Sequence, residues 1–153
     1  MPFVVLRKPV PFDTTTLNFN WQVWDTKAFS LYSRSTEKID KKGADMAIAA
    51  VCRFLSRMNV LNYNVYGGYE STVLIEEELV SLRSTASGLY IPHVKSFDSV
   101  ERGQVLADII DPLTGVTVAQ TEAPEDGIVF FAKDSPLVME NETLFKIVNK
   151  LHK

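Results

Sequence analysis

Hydrophobic and polar positions change their period twice along this chain. Residues 3–10, FVVLRKPV, form a short apolar run stopped by Pro9 and Pro11, the pattern of a brief strand. LNFNWQVW then alternates, with Leu17, Phe19, Trp21 and Val23 on one side and Asn18, Asn20 and Gln22 on the other. Alternation is the period of a half-buried strand, so a second strand is expected here, and AFSLYS (28–33) is a third candidate. Beyond residue 40 the period becomes helical. Ala44, Ile48, Val51, Leu55 and Met58 fall four, three, four and three apart, which predicts an amphipathic helix from about Asp40 to Met58. Asp40 is its expected N-cap and Asn59 lies at its end. Met46, Met58 and Cys52 read as core filler on this helix.

The stretch NVLNYNVYGGYES (59–71) is a loop and the expected domain boundary. Only short strand-like runs follow: TVLIEEELVSL, GLYIPHV, QVLADII, GVTVAQT, GIVFFAK and TLFKIV. That is an all-β unit. The expected division is therefore residues 1–60, a linker over 61–71, and a β domain over 72–149. Glu76, Glu77 and Glu78 do not read as a metal cluster, because consecutive strand residues point to alternate faces; a solvated edge is expected.

Within the β unit one pattern occurs twice. VERGQVLADI (100–109) aligns with VMENETLFKI (138–147) at a constant offset, setting Val100 on Val138, Leu106 on Leu144 and Ile109 on Ile147. Gly103 falls on Asn141, the two residue types most tolerant of positive φ, so the same turn is expected in both copies. Upstream, Gly88 and Gly127 correspond after a one-residue gap. Neither copy can bury its own apolar face, so the two are expected to pack about a pseudo-twofold axis.

Charge and composition narrow the partners. The net charge is -3, which argues against nucleic acid. The one basic cluster, Lys38, Lys41 and Lys42, is interleaved with Asp40 and reads as a solvated helix start. A single cysteine permits no internal disulfide, no apolar run reaches the roughly 18 residues of a membrane span, and the N-terminus has no signal-peptide pattern. No membrane partner and a cytoplasmic location are expected.

The doubled pattern, G-apolar…V-x-x-G-x-x-L-x-x-I, resembles the barrel-sandwich hybrid of biotinyl and lipoyl carrier domains. Carriers hold their modified lysine in the hairpin between the halves. That joint, DPLTGVTVAQTE (111–122), has no lysine, and Lys95 and Lys133 lie outside it, so carrier function is not expected.

The order of parts resembles the C-terminal part of the succinylglutamate desuccinylase and aspartoacylase family, from about Leu17 to Val148. The pieces that carry the likeness are AFSLYSRSTEKID before the helix, the GQVLADIIDPLTG turn and the AP-x-DG-apolar run. The family implies zinc-dependent hydrolases with a carboxypeptidase-like α/β catalytic domain and a β-rich C-terminal domain. The fold class it implies here is α+β: the end of an α/β domain, with strands and one helix, followed by a barrel-sandwich hybrid. Family members bind zinc through an H-x-x-E pair and a later histidine. Here His93 is followed three residues on by Ser96, and His152 is penultimate, so zinc is expected in a full-length parent and none on this chain. Where the family carries its catalytic glutamate this chain has Tyr32, with Glu37 and Asp40 following. The resemblance makes Glu37 a candidate displaced base and Tyr32 a candidate hydrogen-bond donor to substrate; a first-turn carboxylate favoured by the helix dipole is the plainer account of Glu37. The implied partners are an N-terminal catalytic half, or a dimer partner, and a small acylated amino-acid-like substrate. The alternative is a stand-alone, non-catalytic binding or structural module. The two readings differ in whether residues 1–58 close their own core; Leu17, Phe19, Trp21 and Val23 are the side chains that decide it.

Overall fold

The computed structural model of the chain describes residues 3–32, 39–63 and 71–149. Strand β1 (Phe3–Leu6) pairs in parallel with β2 (Thr72–Ile75), in the register Phe3 to Thr72 and Leu6 to Ile75. This ladder ties the two ends of a first unit, residues 1–76; the second unit is 77–153. The expected division had placed 72–76 with the β domain. Pairing with β1 is what assigns β2 to the first unit.

Between these strands the described residues form a 3-10 turn (Pro11–Thr15) and two helices, α1 (Leu17–Val23) and α2 (Lys41–Arg57). Helix α1 overturns the strand expected from LNFNWQVW. The Thr16 hydroxyl caps it by accepting from the Phe19 N–H at 3.3 Å. The Asn20 amide donates to the Thr14 and Thr16 carbonyls, and Gln22 reaches Asn18 one turn back at 3.3 Å. Polar residues that alternate along a strand also serve as local helix partners, and the local bonds prevail where no neighbouring strand offers a ladder. Residues 28–32 likewise form no strand; Ser33 is outside the described residues.

Helix α2 forms where its period predicts. The Asp40 carboxylate accepts from the Gly43 N–H at 3.0 Å and lies so close over Gly43 that a Cβ there would meet its Oδ2 at 2.6 Å. Lys41 and Lys42 are exposed in its first turn, and Asn59 follows it at φ 57°. Its apolar stripe is not covered, however. Ile48, Val51 and Met58 are exposed, so Met58 is not core filler, and Cys52 is only partly buried.

Among its described residues the second unit holds eight strands: β3 (Val80–Arg83), β4 (Gly88–Pro92), β5 (Ser99–Val100), β6 (Val105–Ile110), β7 (Thr117–Glu122), β8 (Gly127–Ala132), β9 (Leu137–Val138) and β10 (Thr143–Val148). They build two antiparallel sheets in the orders β3-β10-β8-β5 and β7-β6-β4-β9. The run Glu76–Glu78 is a 3-10 turn before β3, not a strand edge. Each sheet keeps one hairpin-like pair from its own half, β8 with β10 or β4 with β6. Each then takes its two outer strands from the other half.

The duplication extends to single hydrogen bonds. Gly103 N–H donates to Ala123 O at 2.7 Å, as Asn141 N–H does to Ser84 O at 2.8 Å. Ala123 N–H donates to Gln104 O, as Ser84 N–H does to Glu142 O, both at 2.9 Å. Arg102 N–H is bound by the Asp126 carboxylate and Glu140 N–H by the Ser87 hydroxyl. Gly103 and Asn141 both adopt positive φ, 80° and 68°, as their alignment predicts. Between the sheets, Tyr90, Leu106 and Ile109 pack with Val129, Leu144, Phe145 and Ile147 in one buried cluster, with the Tyr90 and Phe145 ring centroids 5.9 Å apart. Burial of such side chains is what holds the sheets together, at about 1.5–3 kcal/mol for each large one. The whole is an α+β chain.

Candidate functional site

Among the described residues of the first unit one carboxylate, that of Asp13, is buried. It is paired with the Arg7 guanidinium and accepts from the Val10 N–H at 2.7 Å. Arg7 also reaches Glu76 at 3.6 Å, so one arginine links β1, the 3-10 turn and the end of β2. This is a structural staple: both lobes of the carboxylate are engaged.

The first unit also exposes many aromatic and aliphatic side chains. Leu17, Trp21 and Val23 are exposed, Phe19 is partly covered, and Trp24 is 83% exposed. Phe12 and Phe29 are exposed as well, Phe29 making an edge contact with Phe54 at 5.6 Å between centroids. A shallow depression is lined by Gln22, Asp25, Lys27 and Phe29. Tyr32 is 78% exposed, so its hydroxyl is accessible to a substrate or partner. Glu37 lies outside the described residues, and the structure brings no other predicted site residue beside Tyr32. Among the described residues of the first unit, the one fully buried large apolar side chain is Leu74.

The second unit holds a polar cluster that the sequence did not reveal. His93, just past β4, meets the Asp108 carboxylate of β6 through Nε2 at 2.8 Å, and the Gln120 amide of β7 donates to the other Asp108 oxygen at 2.8 Å. Gln120 first, then His93, hold the Asp108 carboxyl below its ordinary 3.8. The sequence signal was the hairpin register: with the β6–β7 turn placed, Asp108 falls opposite Gln120. The Glu142 carboxyl is likewise held below its ordinary 4.5 by Lys133 and the Met139 N–H. Because these folded-state values are depressed, the pairs stabilise the fold above the unfolded-state range and cease to do so as pH falls through the folded values. A melting curve followed against pH should therefore decline on the acid side, below the ordinary carboxylate range. Asp108→Asn should flatten that decline, and added salt should weaken the effect of both pairs.

Tyr90 is 4% exposed, and its hydroxyl has no hydrogen-bond partner. Burial, with the nearby Asp134 charge, pushes its ionisation well up, so it stays neutral. A buried hydroxyl without a partner costs free energy. Tyr90→Phe keeps the ring contact with Phe145 and should stabilise the second unit by about 1 kcal/mol, raising its melting temperature by roughly 4–8 °C in a calorimetric scan.

Among the described residues no three His, Cys, Asp or Glu side chains are grouped to hold a metal ion. No described helix is long and apolar enough to cross a membrane.

No family model matches the sequence, and no curated protein matches it. Solved structures do. A succinylglutamate desuccinylase/aspartoacylase from Rhodobacter sphaeroides superposes with a TM-score of 0.75 at 14% identity, over 99% of this chain and 46% of that one. A putative succinylglutamate desuccinylase/aspartoacylase from Shewanella frigidimarina gives 0.67 at 15% identity, again over 99% and 46%. An aspartoacylase family protein from Mesorhizobium loti gives 0.59 at 16% identity, over 98% and 45%. The chain spans just under half the length of these proteins, and at such identities the likeness is one of fold: this chain has the fold of a little under half of a succinylglutamate desuccinylase/aspartoacylase family protein.

Proposed function

We propose that this chain is the C-terminal portion of a zinc-dependent deacylase or amidohydrolase of the succinylglutamate desuccinylase/aspartoacylase type, acting with a metal-binding α/β half that it does not itself contain. The observation that carries this reading is the open apolar surface of the first unit. A unit that exposes Leu17, Trp21, Val23, Trp24, Ile48 and Val51 while fully burying only Leu74 among the large apolar side chains of its described residues is built to be covered. The parallel β1–β2 pair supports the same reading, since parallel strands belong to sheets covered on both faces. The second unit, with its exchanged outer strands, fits a barrel-sandwich hybrid beside the catalytic half, limiting the size of substrate.

The described residues do not fit a zinc site: His93 is engaged with Asp108 and no third ligand joins them. Zinc, on this reading, is held by the other half. This chain would contribute Tyr32, an exposed donor for a substrate carboxylate or carbonyl, and Glu37 as a candidate base. Small N-acylated amino acids are the substrate class. The stand-alone module is the weaker reading, because it requires residues 1–58 to close their own core.

The test is to isolate the native protein with an antibody against this chain, and to measure its size, its zinc content and its hydrolysis of N-succinyl and N-acetyl amino acids. A larger chain or complex that holds zinc and releases the acyl group supports the proposal. A protein of this chain's own size, free of zinc and without activity, overturns it.

A further inference from the structure

The two sheets of the second unit end in four edge strands, and three are blunted. Strands β5 and β9 are two residues each, while β3 is four residues, carries Arg83 and follows directly on the acidic Glu76–Glu78 turn. Strand β7 differs. It runs six residues, TVAQTE, with no proline, and its one charge, Glu122, stands at its end. Its two register shifts against β6 fall towards its ends and leave Ala119–Thr121 regular. The strand is open to solvent, with Val118 and Gln120 exposed, and a shallow depression runs along Thr117–Gln120. Long edges with few charges template pairing with another strand, and natural sheets guard them.

Ala123 turns its N–H to Gln104 and its carbonyl to Gly103, both towards the β6 side. By alternation Gln120 and Glu122 turn theirs outward. We propose that β7 pairs antiparallel with β7 of a second copy of this chain, joining two four-stranded sheets into one across a twofold axis at Gln120. The occupant is a second copy because the strand is complementary to itself. The axis sets Gln120 against Gln120, Ala119 against Thr121, and Val118 against Glu122, so no like charges meet. A relation in which each residue finds the other's counterpart is what a twofold interface requires. Six strand residues a side make an interface smaller than the roughly 1,200–2,000 Å² of standard stable complexes, so the dimer is concentration-dependent. This inference rests on the second unit and does not depend on the proposed hydrolase.

The experiment is sedimentation of the full chain over a concentration series, with amide exchange on the same samples. The native chain should pass from monomer to dimer, with the Gln120 and Glu122 amides gaining protection as it does. Val118→Lys places a cation opposite Glu122 and should tighten the dimer; Val118→Glu places like charges there and should loosen it, the two ending about tenfold apart in dissociation constant. Position 118 is exposed, so both variants keep the fold. A native chain that stays monomeric overturns the proposal. So does association that the sign of residue 118 does not change, or that leaves the Gln120 amide unprotected, because the apolar surface of the first unit would then be what joins the copies.

Discussion

Phe145→Ala is expected to destabilise the second unit by about 3–5 kcal/mol. Phe145 is fully buried, stands in register with Leu82 on one side and Ala132 on the other, and packs on the Tyr90 ring. Its counterpart in the first copy of the repeat is Ala107, and the counterpart of Tyr90 is Val129. The duplicated halves thus fill their shared interior unequally: each supplies one large ring, Tyr90 or Phe145, where the other has the smaller Val129 or Ala107. Truncating Phe145 removes the ring on which Tyr90 packs, while the paired backbones of β3, β8 and β10 hold the walls of the gap in place, so the cavity cost adds to the lost transfer free energy. Both tryptophans lie in the first unit, so the readout must come from elsewhere. Amide exchange of β6 and β10 in a urea series reports the second unit directly. Leu113→Ala, at a side chain 94% exposed, is the control and should stay within about 0.5 kcal/mol. Equal losses at both positions would mean that the core between the sheets is not where the stability resides.

The second large effect is expected at two glycines that never visit positive φ. A Cβ on Gly88 would lie 2.5 Å from the Ile110 carbonyl oxygen, and one on Gly127 would lie 2.7 Å from the Val148 carbonyl oxygen and 2.6 Å from the Ile147 Cγ2. Each glycine opens the inner strand of its half and lets that strand approach the last residues of the strand it pairs with. Backbone atoms cannot swing aside as a side chain can, so alanine must push the strands apart. Each substitution should cost about 1–3 kcal/mol, and the double variant correspondingly more. Gly103→Ala has open space around its Cβ and acts only through its φ of 80°, so it should cost less than the double variant. If Gly88→Ala and Gly127→Ala unfold at the denaturant midpoint of the native chain, the close approach described here is wrong.

The sequence carried the repeat well, because its signals are local and redundant. Gly103 and Asn141 declare the same turn, Gly88 and Gly127 the same close approach, and Ile109 and Ile147 the same buried face. Helix α2 was legible for a similar reason: Asp40 caps it and the apolar spacing follows. What the sequence did not carry was context. LNFNWQVW alternates as a strand does, yet Thr16, Asn18 and Asn20 offer helix-forming bonds that alternation cannot register. Which face of α2 is covered depends on what lies against it, so Ile48 and Met58 read as core and are exposed. His93 and Asp108 are fifteen residues apart and meet only through a pairing register. Of the candidate site residues, Tyr32 is exposed and Glu37 lies outside the described residues.

The exchange of outer strands also governs the order in which the second unit acquires structure. Strand β5 finds its mate only in β8, β9 only in β4, and β3 only in β10. During synthesis the first half therefore leaves the ribosome with a β4–β6 pair and no closure, and β3 waits for residues up to Ile147 before its ladder is whole. Long loops must close before these contacts reward them, so folding is slow for a domain of this size and all-or-none across the halves. A chain interrupted between β6 and β7 yields two pieces that each lack their mates. Mixed together, they are complementary and should refold as one body.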